Sequence, residues 1–319
     1  MRHLACNGDI DLRLLKRVLE TRRASVLLSS YEKRERLFIT RFRRARLTPS
    51  ESAVHRVRVA ARRLLSMLSV LEPIMGRRYL KPVRRTLKSQ LRELGAVRDV
   101  QVHVLLTGEL LTGFPQLTTF HESLTRKEQK LIRHVRNGLW DFNLEKLRRQ
   151  SDRIFDRLIC SIDPAADDVI GDEIEASVGV AYQRVLSRQA SIDPDHLGSI
   201  HRTRLAFKRF RYMAEIVAPI YNELTTERLK AMHEFQGRLG AIQDLDSLLS
   251  AMTDFRKRSG RTSMQVAENE IRQRRTRLIE DFMDSVDEVR FFWSTVSAGD
   301  HRASPPLRAN PSVLSVRTR

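Results

Sequence analysis

Apolar residues recur at three- and four-residue intervals through almost the whole chain, and glycines and prolines fall mainly between such stretches, so the pattern predicts an all-α fold. The spacing predicts helices over residues 27–46, 53–71, 79–94 and 100–111, then longer ones over 117–139 and 144–162. The periodicity breaks at Asp163, Pro164 and from Asp167 to Gly171, then resumes over 174–186. After Asp193 and Pro194 it predicts helices over 196–217, 226–239, 245–255 and 266–293. Residues 1–20 read as an N-terminal extension. Residues 298–319, rich in Ser, Pro and Arg, read as a disordered basic tail.

An internal repeat underlies this series. The segment HRVRVAARRL, starting at His55, matches HRTRLAFKRF, starting at His201, with five identities in ten positions and an offset of 146 (201 − 55). LGAVRDV, from Leu94, matches LGAIQDL, from Leu239, with four identities in seven and an offset of 145 (239 − 94). Two copies of one helical unit, residues 21–165 and 166–297, account for the near-equal offsets, and each copy is long enough to form a small bundle.

The repeated segments separate charge from apolar surface. With His55 at 0° on a helical wheel, Arg58 and Arg62 fall near 300° and 340°, and Val57, Leu64, Leu68 and Leu71 cluster around 160–220°. Arg56 and Arg63 widen the basic face, and no acidic residue occurs between His55 and Met67. In the second copy His201, Arg204 and Lys208 form the basic face, Arg202, Arg209 and Arg211 extend it, and Phe210, Ala214 and Val217 pack. The following helix of the first copy adds Lys81, Arg84, Arg85, Lys88 and Arg92 opposite Val83, Leu87 and Leu94. Like charges at such spacing destabilise a helix unless an anion or an acidic partner lies against them.

A single basic stripe is ordinarily a solvated helix face. A duplicated ladder in one register can instead line a shared groove if the copies pack about a pseudo-twofold axis. His55 and His201 can donate to phosphoryl oxygens, or they can pack and cap at helix starts. Gly95 and Gly240 suit a helix end or a close helix approach, and Asp99 and Asp244 suit capping the next helix or holding a neighbouring Arg. Arg98 either faces the anion or does not, since Gln243 occupies its place in the second copy.

Bulk charge strengthens the case for an anionic partner. The 319 residues carry 58 Lys plus Arg against 39 Asp plus Glu, a net charge of +19, with a pI near 10.8. Aromatic content of 6% is low for stacking single-stranded bases, and 41% hydrophobic content suits a globular fold. Two cysteines without metal-like spacing, Cys6 and Cys160, read as inert thiols of a reducing compartment. The first eighteen residues lack a continuous apolar segment of signal-peptide length, and no run of about 18 apolar residues predicts a transmembrane segment, so a cytoplasmic location is expected.

On these residues the sequence resembles the CHAD family, the conserved histidine α-helical domains. His55, Arg58, Arg62 and Arg63 match its motif in the first copy, and His201, Arg204, Lys208, Arg209 and Arg211 in the second, each followed by a Leu-Gly-x-x-x-Asp segment. The resemblance covers residues 21–297. It implies two pseudosymmetric helical bundles around a basic central channel that binds inorganic polyphosphate, often on polyphosphate granules, with no catalytic role of the domain's own. Leu65 departs from the family, which often has Arg there, while its counterpart Arg211 is retained. The expected ligand contacts are these nine motif residues together with Arg84, Arg85, Lys88 and Arg98.

The rival readings find less support in the residues. Catalytic CYTH domains, to which CHAD domains can be fused, need a Glu-x-Glu-x-Lys motif in a β tunnel; the nearest string here, Glu173-Ile174-Glu175-Ala176-Ser177, has Ser for Lys and a helical context. There is no Gly-rich phosphate loop, no His-Glu-x-x-His motif and no clustered Asp site, so neither catalysis nor a metal or cofactor is expected. Nucleic acid is the alternative polyanion, although no zinc finger or basic zipper is present. Association with polyphosphate-metabolising enzymes fits the resemblance, and the lack of a Trp-rich amphipathic face argues against a membrane surface.

Overall fold

The computed structural model describes residues 12–259 and 264–293, and these are helical with no strand among them. Eleven α-helices follow one another: α1 (Leu12–Glu20), α2 (Arg22–Leu47), α3 (Glu51–Val70), α4 (Glu72–Met75), α5 (Arg77–Leu110), α6 (Thr118–Asp141), α7 (Leu144–Ser161), α8 (Asp167–Gln189), α9 (Leu197–Val217), α10 (Thr226–Ser259) and α11 (Gln265–Asp284). Single 3-10 turns at Pro115–Leu117, Pro164–Ala166 and Val286–Phe291 complete the set. The basic tail expected from residue 298 lies outside the described residues.

Local chemistry places the boundaries. Pro49 follows the end of α2, and Ser50 starts α3 by accepting from the Ala53 amide at 3.3 Å. Asn143 Oδ1 caps α7 from the Lys146 amide at 2.7 Å. Gly76, with φ of 82°, supplies the left-handed residue that turns α4 into α5.

Two long helices correct the sequence expectation. Residues 79–94 and 100–111 are not separate but lie in the continuous 34-residue α5, and 226–239 and 245–255 lie in the 34-residue α10. Gly95 and Gly240 therefore sit inside helices, and Asp99 and Asp244 cap nothing. A mid-helix glycine costs about 0.5–1 kcal/mol relative to alanine, which packing along both flanks outweighs. Helix α8 likewise begins at Asp167 rather than 174. Arg23 Nη1 reaches its first turn at 3.1 Å from Asp167 and 2.7 Å from Asp168, crossing Gly171, where a Cβ would come within 2.8 Å of Arg23 Nε.

The packing order is the same in both halves. In the first, α2 packs on α3, α3 on α5 and α5 on α6; in the second, α8 packs on α9, α9 on α10 and α10 on α11. The halves meet where α3 lies against α9 and α5 against α10. One apolar core runs through both, from Val18 on α1 to Trp293. Val57, Leu64, Leu68, Leu71, Phe210, Ala214 and Val217 are buried as the wheel predicts. A smaller cluster, including Phe120, Leu248 and Ile271, joins α6, α10 and α11. Each buried side chain of this size contributes about 1.5–3 kcal/mol.

Two further observations bear on the sequence reading. Helix α1 packs on α2 and α7 and buries Val18, so the core reaches ahead of residue 21. Cys160, near the end of α7, is disulfide-bonded. The reading of two inert thiols therefore fails for it, because disulfide pairing depends on tertiary proximity that spacing does not reveal. No helix among the described residues is long and apolar enough to cross a membrane.

Candidate functional site: a cationic cleft between α3 and α9

Helices α3 and α9 carry the two copies of the basic motif and face each other across a cleft of about 250 Å³. Arg62, Leu65, Ser66 and Ser69 line it from α3, Leu205, Lys208, Arg209 and Tyr212 from α9, and Arg84 and Lys88 from α5. Five of the predicted residues thus share one cavity: Arg62, Arg84, Lys88, Lys208 and Arg209. Arg62, Lys88, Arg204, Lys208 and Arg209 make no ion pair with a carboxylate and no side-chain hydrogen bond among the described residues.

Electrostatics bring the deeper residues into the same group. Burial, followed by the charges of Arg62, Arg204, Arg58 and Arg211, lowers Lys208 from 10.5 to about 6. Burial and Arg62 lower Arg58 to about 10, and Arg98 and Arg204 add to the shift. Arg62 is lowered by burial, with Arg204 and Arg98 contributing and Tyr212 and Asp99 opposing. His55, at the end of this row, is lowered by desolvation, then by Arg98, with Glu51 opposing and Lys208 and Arg62 further contributors. Cations from α3, α5 and α9 therefore stand close enough to disfavour one another's charge.

Carboxylates are present but do not neutralise the row. Asp244, from the middle of α10, is raised by burial while Arg204, Arg98 and Lys208 hold it down; Asp99, from the middle of α5, acts favourably on Arg58 and Arg62. Neither forms an ion pair within 4 Å among the described residues. Neither reading of these aspartates is met: both lie inside helices and cap nothing, and each acts on the arginines only through its charge at a distance. At Gly95 a Cβ would meet only ordinary contact, 3.5 Å from Arg58 Nη1, which donates to the Leu91 carbonyl at 2.8 Å.

The structure removes other predicted residues from the open row. Arg63 is paired with α9, its Nη2 lying 3.2 Å from Glu215 Oε2. Arg211 is buried and bonded to Glu215 and, at 2.9 Å, to Gln236. Arg85 points into a different groove between α5 and α6, beside Glu93 and His134. Arg84 lines the cleft but is paired with Glu72 at 2.5 Å, and Arg98 is paired with Glu51. His201 Nδ1 is bonded to Gln243, while His55 has no such bond among the described residues. For Arg63, Arg84 and Arg98 the physical reason is the same: a wheel places charges on one helix but cannot show which carboxylate another helix brings.

Sequence reasoning missed Tyr212, Ser66 and Ser69. Tyr212 stands between two arginines, with Arg211 4.6 Å and Arg63 5.7 Å from its ring centre. Its position one residue beyond the motif carried no charge signal.

An all-α fold with a cation-lined cleft between two helices of matching motif defines the class of protein. The CHAD domain family model matches residues 12–253, about three quarters of the chain, and this chain belongs to that family. A crystal structure of the CHAD domain from the plant Ricinus communis matches with a TM-score of 0.58 and 19% identity, covering 91% of this chain and 94% of that one. PptA from Streptomyces chartreusis matches with a TM-score of 0.50 and 14% identity, covering 83% and 98%. At these identities both likenesses concern the fold. No curated protein matches the sequence.

Proposed function

We propose that this chain binds inorganic polyphosphate along the α3–α9 cleft, does not turn it over, and is thereby held at polyphosphate granules. The observation that carries the reading is the convergence of Arg62, Arg204, Lys208 and Arg209 from two facing helices, none of them in an ion pair among the described residues. Half-buried like charges disfavour the free protein, and an anion that matches them recovers that energy. Membership of a family known to bind polyphosphate in general supports the same ligand.

A linear polyphosphate has about one negative charge per internal phosphate and no bases to read. Arg62, Arg204 and Arg209 can fork onto phosphoryl oxygens, and Lys208 supplies a compact charge. Ser66 is placed to donate a hydroxyl hydrogen bond from the α3 wall, whereas the Ser69 hydroxyl donates to the Leu65 carbonyl at 3.1 Å. Binding then follows the salt-dependent backbone term of nucleic-acid recognition without its base-reading part.

The test is binding of labelled long-chain polyphosphate to the wild type and to an Arg62→Ala, Arg204→Ala, Lys208→Ala variant at fixed salt. The expected result is at least a tenfold loss in a variant of unchanged helicity, with no phosphate released by either protein over the assay. Equal binding by the variant, or displacement of polyphosphate by DNA or RNA at equal phosphate concentration, overturns the proposal.

A further inference from the structure

Beside the cleft, four arginines gather where α2 packs on α3: Arg34 and Arg41 from α2, Arg56 and Arg63 from α3. Arg34 is lowered to about 10, by burial and then by the charge of Arg63. Arg41 is lowered by burial, then by Arg63 and Arg56. Glu215 is the carboxylate facing this group, and it already serves Arg211 as well as Arg63. Arg41 and Arg34 bond only to backbone, at 3.4 Å to the Arg56 carbonyl and 3.0 Å to the Ser30 carbonyl; Arg56 bonds to Ser52 Oγ at 3.0 Å. The Nε atoms of Arg34 and Arg63 are buried without a hydrogen-bond partner. A cluster with several guanidinium groups to one shared carboxylate, and with donors left unsatisfied, has the chemistry of an oxyanion site.

Tyr212 connects this patch to the cleft. Its ring forms part of the cleft wall beside Arg62 and Lys208, and the Arg63 guanidinium lies 5.7 Å from the ring centre. Arg63 in turn stands close enough to Arg34 and Arg41 to disfavour their charge. We infer that the α2–α3 arginine cluster is a second polyphosphate-binding segment, which grips the part of a long chain that extends beyond the α3–α9 cleft. This inference rests on the polyphosphate reading of the cleft. It gives the protein a preference for long chains, because a short oligophosphate occupies the cleft alone, whereas a long one engages both segments at high effective concentration.

The experiment compares tripolyphosphate with polyphosphate of about a hundred units, using the full chain. An Arg34→Gln, Arg41→Gln, Arg56→Gln variant is expected to bind tripolyphosphate like the wild type but long chains at least tenfold more weakly. The slope of log K against log salt for long chains should fall in magnitude by about 2, as removal of three phosphate contacts predicts. The Arg→Lys version of the same triple keeps the charge and should recover most long-chain affinity, which separates lost charge from lost fold. Undiminished long-chain binding with an unchanged salt slope overturns the second segment. Equal weakening for both ligands also overturns it, because the patch would then act on the cleft rather than beyond it. If the wild type retains neither ligand, the cleft reading itself fails, an outcome distinct from either of these.

Discussion

Glu215 Oε2 lies 3.2 Å from Arg63 Nη2 on α3, while Oε1 of the same carboxylate bonds to Arg211 on its own helix. One side chain thus ties α3 to α9 beneath the row of unpaired cations, so the motif divides into a structural part and an open part. Arg211 is 4% exposed, and without Glu215 its charge would be left with only the Gln236 amide oxygen as a side-chain acceptor. Glu215→Ala is therefore expected to destabilise the fold by about 3 kcal/mol, readable in urea unfolding. Arg62→Ala, which removes an unpaired half-buried charge, should leave stability unchanged or raise it.

Lys208 sets a pH dependence for the free protein. Its folded value of about 6 lies below its ordinary value of 10.5, so between these limits the unfolded chain binds the extra proton. Its contribution to stability therefore rises with pH from about 6 towards 10. Lys208→Met should flatten that rise and increase the melting temperature at pH 6 by about 2 °C or more.

Ligand binding reverses the proton's direction. A polyanion in the cleft raises Lys208 again, so binding takes up a proton and strengthens as pH falls from 8 to 6. His55, also lowered in the free protein, adds a further increase below its ordinary value of 6.5. Lys208→Arg should weaken this pH dependence while keeping affinity at pH 8. Isothermal titration in buffers of different ionisation enthalpy measures the proton uptake directly.

Saturating polyphosphate should stabilise the fold by mass action, by about 2.7 kcal/mol at a hundredfold excess over Kd. The gain should shrink as salt rises, since counterion release supplies much of the affinity. A melting temperature insensitive to polyphosphate at low salt would contradict the cleft reading.

Gly240 provides a test of helix continuity. It lies inside α10, and a Cβ there would meet nothing within 4 Å. Gly240→Ala is expected to stabilise by about 0.5–1 kcal/mol, whereas at a true helix end requiring glycine it would destabilise.

Much of this protein was legible without coordinates. Helical periodicity, the two copies of the motif, and the apolar faces of α3 and α9 are local properties. Val57 and Leu64 are buried and Arg62 lies in the cleft because 3.6 residues make a turn. The joining of α5 and α10 through their glycines was not legible, since local propensity favours a break there and only packing along the helix outweighs it.

The sequence by itself determined which residues share a helix face and that one such face, repeated, is cationic. Only the tertiary structure decided which of those charges remain open. It set Glu215 against Arg63 and Arg211, Glu51 against Arg98 and Glu72 against Arg84, turned Arg85 into another groove, and left Arg62, Lys208 and Arg209 facing the cleft. Charge is carried by a residue, but its neutralisation depends on distance to residues far along the chain, and that distance exists only once the helices have packed.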